Sequence, residues 1–120
     1  MKDETGAVDL KMRTRQFALR IIRLFAALPK SVEAQVLGKQ LLRSGTSVGA
    51  HYRAASRARS NAEFISKLEG GLQELEETAY WLELLSESGI LPASRLAELI
   101  DEADQLTAIL VTCVKRAKNA

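Results

Sequence analysis

Apolar residues recur along this chain at intervals of three and four in four successive runs, each bounded by a cap or turn signal, and the pattern predicts four helices. The first run covers residues 10–28, with Leu10, Phe17, Ile21, Leu24 and Leu28 on one stripe, widened by Ile22 and Phe25 and flanked by Arg13, Arg20 and Arg23. Pro29 breaks it. Ser31 is a good N-cap for the second helix, with Glu33 near the positive end of its dipole. That helix runs to about Ser56 and carries two faces: Leu37, Leu41, Ser44, Val48 and Ala55 toward a core, with Tyr52 at the edge, and Lys39, Arg43, Arg53 and Arg57 opposite. Ser60-Asn61-Ala62-Glu63 has the spacing of a capping box and opens the third helix. There Ile65, Leu68, Leu72, Leu75, Ala79 and Leu82 alternate steps of three and four, the seam of a left-handed bundle. Gly89 and Pro92 separate it from a fourth helix with the same step through Leu96, Leu99, Ala103, Leu106, Leu110 and Cys113.

Four helices joined by short turns predict an all-α fold, an antiparallel up-down-up-down four-helix bundle over residues 10–118, preceded by a flexible leader over residues 1–9. At 120 residues, 47% apolar and 5% aromatic with two prolines, the composition favours helices over strands. Gly38, Gly45 and Gly49 lie on a line between the two faces of the second helix, where each costs about 1 kcal/mol against alanine. Such a cost implies either a backbone approaching this helix more closely than a side chain would permit or a kink. Both a contact within the protomer and a contact between subunits satisfy that requirement.

Net charge is only +2, but its distribution is uneven. Residues 1–59 hold twelve Lys/Arg against four Asp/Glu (+8), and residues 60–120 hold five against eleven (−6). The halves therefore attract one another, within or between subunits, or the basic half faces a polyanion. Arg57 to Arg59 form a positively charged corner. Glu69, Glu76 and Glu83 repeat every seven residues beside the seam of the third helix, placed to meet arginines of the first or second helix or of another subunit. The acidic first half and basic last turn of the fourth helix both favour its dipole.

Catalytic and metal chemistry find no apparatus here. Inward-facing di-metal sites need several Glu with a Glu-x-x-His pair, and His51, the one histidine, has no Glu three or four residues away. No Ser/His/Asp set, Cys/His pair, phosphate loop or zinc spacing is present, so neither an enzyme, a cofactor, a metal nor a small-molecule substrate is expected. Cys113, the single cysteine, excludes an intramolecular disulfide and reads as a small buried hydrophobe. Trp81 and Tyr80 near the end of the third helix could serve as stacking platforms for bases, but aromatics at a helix end usually cover the rim of the core, and Trp81 reads as core. The first helix is basic and amphipathic enough for a membrane surface, but a bundle helix has the same pattern and three others are there to receive it. With no signal peptide and no spanning segment, a cytoplasmic protein is expected.

The run Gly38-Lys39-Gln40-Leu41-Leu42-Arg43-Ser44-Gly45-Thr46-Ser47, then Ala62-Glu63-Phe64-Ile65, Glu74 with Glu77-Thr78, and Tyr80-Trp81-Leu82 resemble the small bacterial "four helix bundle protein" family. That family is related to proteins encoded in intervening sequences of 23S ribosomal RNA genes and to accessory proteins of diversity-generating retroelements. The resemblance implies four-helix protomers assembled as ring-shaped homopentamers, with basic surfaces directed to nucleic acid. Where the family has Gly-Ala-Asn-Tyr-Arg-Glu-Ala, this chain has Gly49-Ala50-His51-Tyr52-Arg53-Ala54-Ala55, losing a carboxylate at Ala54 and exchanging an amide for His51.

The expected role is a non-enzymatic oligomeric module that binds structured RNA or DNA through phosphates, using Arg20, Arg23, Lys39, Arg43, Arg53, Arg57 and Arg59, without a base-reading motif. Gly45, Gly49, Tyr52, Glu69, Glu76 and Glu83 are the expected subunit contacts. The rival role is a structural or protein-interaction scaffold in which the same arginines are consumed by acidic helices of neighbouring subunits.

Overall fold

A computed structural model describes residues 9–120, all of whose regular elements are helices: α1 (Leu10–Ala26), α2 (Val32–Ser56), α3 (Asn61–Glu87) and α4 (Ala93–Lys118). The expected leader lies outside the described residues except for Asp9, whose carboxylate caps α1 by accepting from the Met12 N–H at 3.1 Å. Ser31 caps α2 through the Ala34 N–H and Ser60 caps α3 through the Glu63 N–H. The reciprocal half of the expected capping box is not formed. The Glu63 carboxylate turns outward instead, to 4.0 Å from Arg59. Gly89, at φ +77°, supplies the left-handed turn after α3 that a side chain would strain.

Each helix packs on its neighbours in sequence, and α1 closes the bundle against α4 through its thinnest contact. The molecule measures 47 × 25 × 19 Å, its long axis set by α3, whose 27 residues span about 40 Å. Phe17, Ile21, Leu41, Val48, Leu68, Leu75, Leu82, Leu96, Leu106 and Leu110 fill the core, and most were legible from spacing alone.

The seam of α3 differs from the expected one. Leu68, Gly71, Leu75, Thr78, Leu82 and Leu85 are buried, while Ile65, Leu72 and Ala79 are half-buried at its flank. The cause is α2. It approaches so closely that a glycine and a threonine become interior positions, rotating α3 away from its purely hydrophobic stripe. Ile22, expected to widen the stripe of α1, is 44% exposed. Cys113 is half-buried, with Val114 and Ala117 taking the interior positions of the last turns of α4. Partial burial still pushes its thiol pKa up.

All three α2 glycines serve contacts within the protomer. A Cβ on Gly38 would fall 2.5 Å from Leu28 Cδ1, one on Gly45 2.8 Å from Ile21 Cγ1, and one on Gly49 3.2 Å from Thr14 Oγ1. Their bare sides are the seat of α1, which accounts for Gly45 and Gly49 within the protomer. Thr14, buried there, satisfies its hydroxyl on the Leu10 carbonyl at 2.7 Å.

Candidate nucleic-acid interface

The polar residues divide into those the bundle consumes and those it leaves open. Along α2–α3, Arg43 reaches across to α3 and pairs with Glu74 at 3.3 Å and with Glu77. Both carboxylates lie on the side of α3 that faces α2, because they flank the buried Gly71–Thr78 line. Thr78 and Ser44 hydrogen-bond in the interior at 2.9 Å, with the Glu74 and Leu41 carbonyls as further acceptors. His51 sits half-buried in the same seam, its Nδ1 3.0 Å from the Ser47 carbonyl and its ring against Gly70, where a Cβ would stand 2.5 Å from Cδ2. Nδ1–H is therefore the donor, and the imidazole serves helix packing.

On the opposite side, Arg13 of α1 grips Glu102 of α4 through Nε and Nη2, both at 2.8 Å, and also donates to Gln105. A fork of this kind is the strongest geometry open to arginine. The Glu102 carboxylate accordingly holds the Arg13 pKa above its ordinary value. Two turns further along the same face, Arg20 forms no ion pair among the described residues. With Arg23, Leu24, Arg95, Glu98 and Leu99 it lines a cleft of about 240 Å³ between α1 and the start of α4. A second basic cleft, about 130 Å³, lies where Lys11, Met12 and Arg15 of α1 meet Arg53 of α2, with Asp9 at its edge.

Of the seven cations expected to face nucleic acid, Arg43 is neutralised inside the protomer and Arg59 lies 4.0 Å from Glu63, at 92% exposure. Arg20, Arg23, Lys39, Arg53 and Arg57 make no ion pair with the described residues, and all but half-buried Arg20 are exposed. The clefts add Lys11, Arg15 and Arg95 to them. Lys11 and Arg15 were readable as an i,i+4 pair off the apolar stripe of α1. Arg95 had its own signal, a positive charge in the first turn of a helix, where the dipole disfavours it.

The expected acidic contacts fare differently from one another. Glu69 pairs with Lys118 of α4 at 3.2 Å, an exposed bridge within the protomer. Glu76 and Glu83 are exposed and pair with no described residue, and Tyr52 packs half-buried on the core. Burial raises the Tyr52 phenol pKa, helped by the nearby Cys113. Trp81 is half-buried with its Nε1 enclosed and unpartnered among the described residues, while Tyr80 is 52% exposed with its ring centroid 5.1 Å from that of Trp81. A groove between the α1–α2 and α3–α4 turns, lined by Ser31, Glu33, Leu37 and Ile90 among others, brings no cation or nucleophile together.

No group of three or more His, Cys, Asp or Glu among the described residues is placed to hold a metal ion, and no described helix is long and apolar enough to cross a membrane. The family model described as 23S rRNA-intervening sequence protein matches residues 7–112. Among solved structures, a protein of unknown function from the S23 ribosomal protein family of Bacteroides thetaiotaomicron is 37% identical, with a TM-score of 0.83 over 88% of this chain and 97% of that one. No curated protein matches the sequence.

Proposed function

The chain belongs to the 23S rRNA-intervening sequence protein family, and we propose that it is a non-enzymatic, cytoplasmic, homo-oligomeric module that binds nucleic acid through phosphates. The observation that carries this reading is the unequal treatment of arginine. Arg43 and Arg13 are matched by carboxylates in the fold, yet Arg20, Arg23, Arg53, Arg57 and Lys39 form no ion pair among the described residues. Together with Lys11, Arg15 and Arg95 they give α1, the outer face of α2 and the start of α4 a positive field. Multiplied by the copies of an oligomer, that field suits a polyanion, whose condensed counterions are released as phosphates are neutralised. The sequence carries no base-reading motif, and sequence-specific recognition is not part of the proposal.

Fluorescence anisotropy with a labelled structured RNA and a matched DNA duplex, across a salt series, tests the proposal. Log-linear weakening with salt is expected, with a slope of about −0.9 per phosphate engaged on duplex DNA. Absence of binding at low salt with the oligomer intact would reject it.

The scaffold reading is favoured by a different observation: Met12, Leu19 and Ile22 are 40–44% exposed on the outer side of α1, and Val32 and Val36 are exposed on α2. The two readings part at Arg53→Glu. As a phosphate contact it leaves the oligomer intact and deficient in nucleic acid; as a subunit contact it dissociates the assembly on a sizing column.

A further inference from the structure

The α1–α4 cleft gathers positive charge from two helices. Three guanidiniums, Arg20, Arg23 and Arg95, converge on about 240 Å³ with one carboxylate, Glu98, and no ion pair forms between Glu98 and any of them. Like charges brought together from two helices repel one another unless an anion joins them. Two features add to the field. Arg95 stands in the first turn of α4, a 26-residue helix whose N-cap, Pro92, supplies no side-chain hydrogen bond, so the positive end of the dipole lies beside it. Glu102, the carboxylate that neutralises Arg13, has no counterpart opposite Arg20, two turns along the same face of α1.

We infer that this cleft is a receptor for a phosphate monoester, the terminal phosphate of a nucleic-acid strand. The lining residues sum to +2, which matches the roughly −1.5 to −2 of a monoester at neutral pH and overcompensates the single charge of a diester. Arginine forks suit the several oxygens of a terminal phosphate. The cleft is wide open to solvent, so a phosphate can sit among the arginines while the strand it terminates runs outward. Leu24 and Leu99 form the apolar floor that keeps the anion from being fully solvated. The inference rests on the nucleic-acid reading above: it gives that surface a preference for strand ends, with Arg53 and its neighbours along α1–α2 gripping the strand that follows.

Anisotropy with one single-stranded oligonucleotide carrying a 5′-phosphate, a 3′-phosphate or neither tests it at fixed ionic strength, with inorganic phosphate titrated separately by thermal shift. One phosphorylated form is expected to bind on the order of tenfold more tightly than the hydroxyl-ended strand. Arg23→Gln with Arg95→Gln, both at exposed positions, should erase that preference, weakening the phosphorylated strand by more than the hydroxyl-ended one until the two bind alike; Glu98→Gln should enlarge it. Arg53→Gln should weaken all three strands alike and preserve the ratio. Equal binding of the three strands overturns the inference while the nucleic-acid reading stands. Binding of none of them removes both, even if inorganic phosphate raises the melting temperature through Arg23 and Arg95, because the cleft would then serve a free anion.

Discussion

Along α2–α3, two glycines admit an imidazole, two hydroxyls bond in the interior and Arg43 is taken up by Glu74 and Glu77. Along α1–α4 the helices meet through the Arg13–Glu102 fork, and beyond it the contact opens into a cleft of unpaired cations. The first seam joins consecutive helices through a short corner, so local proximity brings small residues into register. The second is the closure of the bundle, where first and last helices meet and side chains rather than backbones bridge the gap. A bundle built this way concentrates its buried polar contacts in one seam and leaves the other more open.

The sharpest challenge to that contrast is a matched pair of truncations. Leu75→Ala, at a fully buried position, should cost about 2–5 kcal/mol in chemical denaturation. Leu99→Ala, which is 6% exposed and faces the cleft, should cost less, because water and mobile arginines can occupy the vacated space. Equal costs would mean that the two seams are equally committed to stability.

Next in size is Gly70→Ala. The new Cβ collides with the His51 ring and should destabilise by about 1–3 kcal/mol, outweighing the roughly 1 kcal/mol that alanine contributes to helix propensity. Adding His51→Ala should restore most of that loss in a double-mutant cycle, which would fail if Gly70 is there for a reason other than the imidazole.

A smaller effect separates the two arginines that are paired. Arg13→Ala should cost about 1–2 kcal/mol, since its fork is bidentate and largely shielded at 24% exposure. Arg43→Ala should cost less than about 1 kcal/mol, since that guanidinium is 51% exposed. The reverse order would place the stronger electrostatic clasp on the α2–α3 seam.

Least of all is an alkaline effect at two half-buried groups, Tyr52 of α2 and Cys113 of α4. Burial raises Cys113 above its ordinary 9.0 and Tyr52 above 10.0. Both groups are neutral when protonated, so the folded state retains their protons to higher pH than the unfolded chain does. Their contribution is fully present below the unfolded pKa and is lost as pH rises through 9 toward the folded values. Melting temperature should therefore fall above pH 9, and Cys113→Ala should flatten the first part of that fall. Alkylation of the native thiol at pH 8 should be slower than in denaturant.

Much of this architecture was written in the order of residues. The three- and four-residue steps of Leu10, Phe17, Ile21 and Leu24, and of Leu96 through Leu110, fixed which faces are buried, because burying a contiguous apolar stripe on a helix leaves little choice. Ser31, Ser60 and Gly89 marked the boundaries through local hydrogen bonding and a local dihedral. The basic first half and acidic second half were equally plain. Tertiary structure alone decided which charges find each other. Glu74 and Glu77, which lie off the hydrophobic seam of α3, capture Arg43, while the heptad-spaced Glu76 and Glu83 capture nothing among the described residues. It also decided that Gly45 and Gly49 receive α1, and that Arg20, Arg23 and Arg95 share one cleft although they lie some seventy positions apart. The physical reason is range. Caps and amphipathic stripes depend on neighbours within a turn or two, whereas ion pairs and clefts depend on the rotation and approach of whole helices, and those are set only when every seam is packed at once.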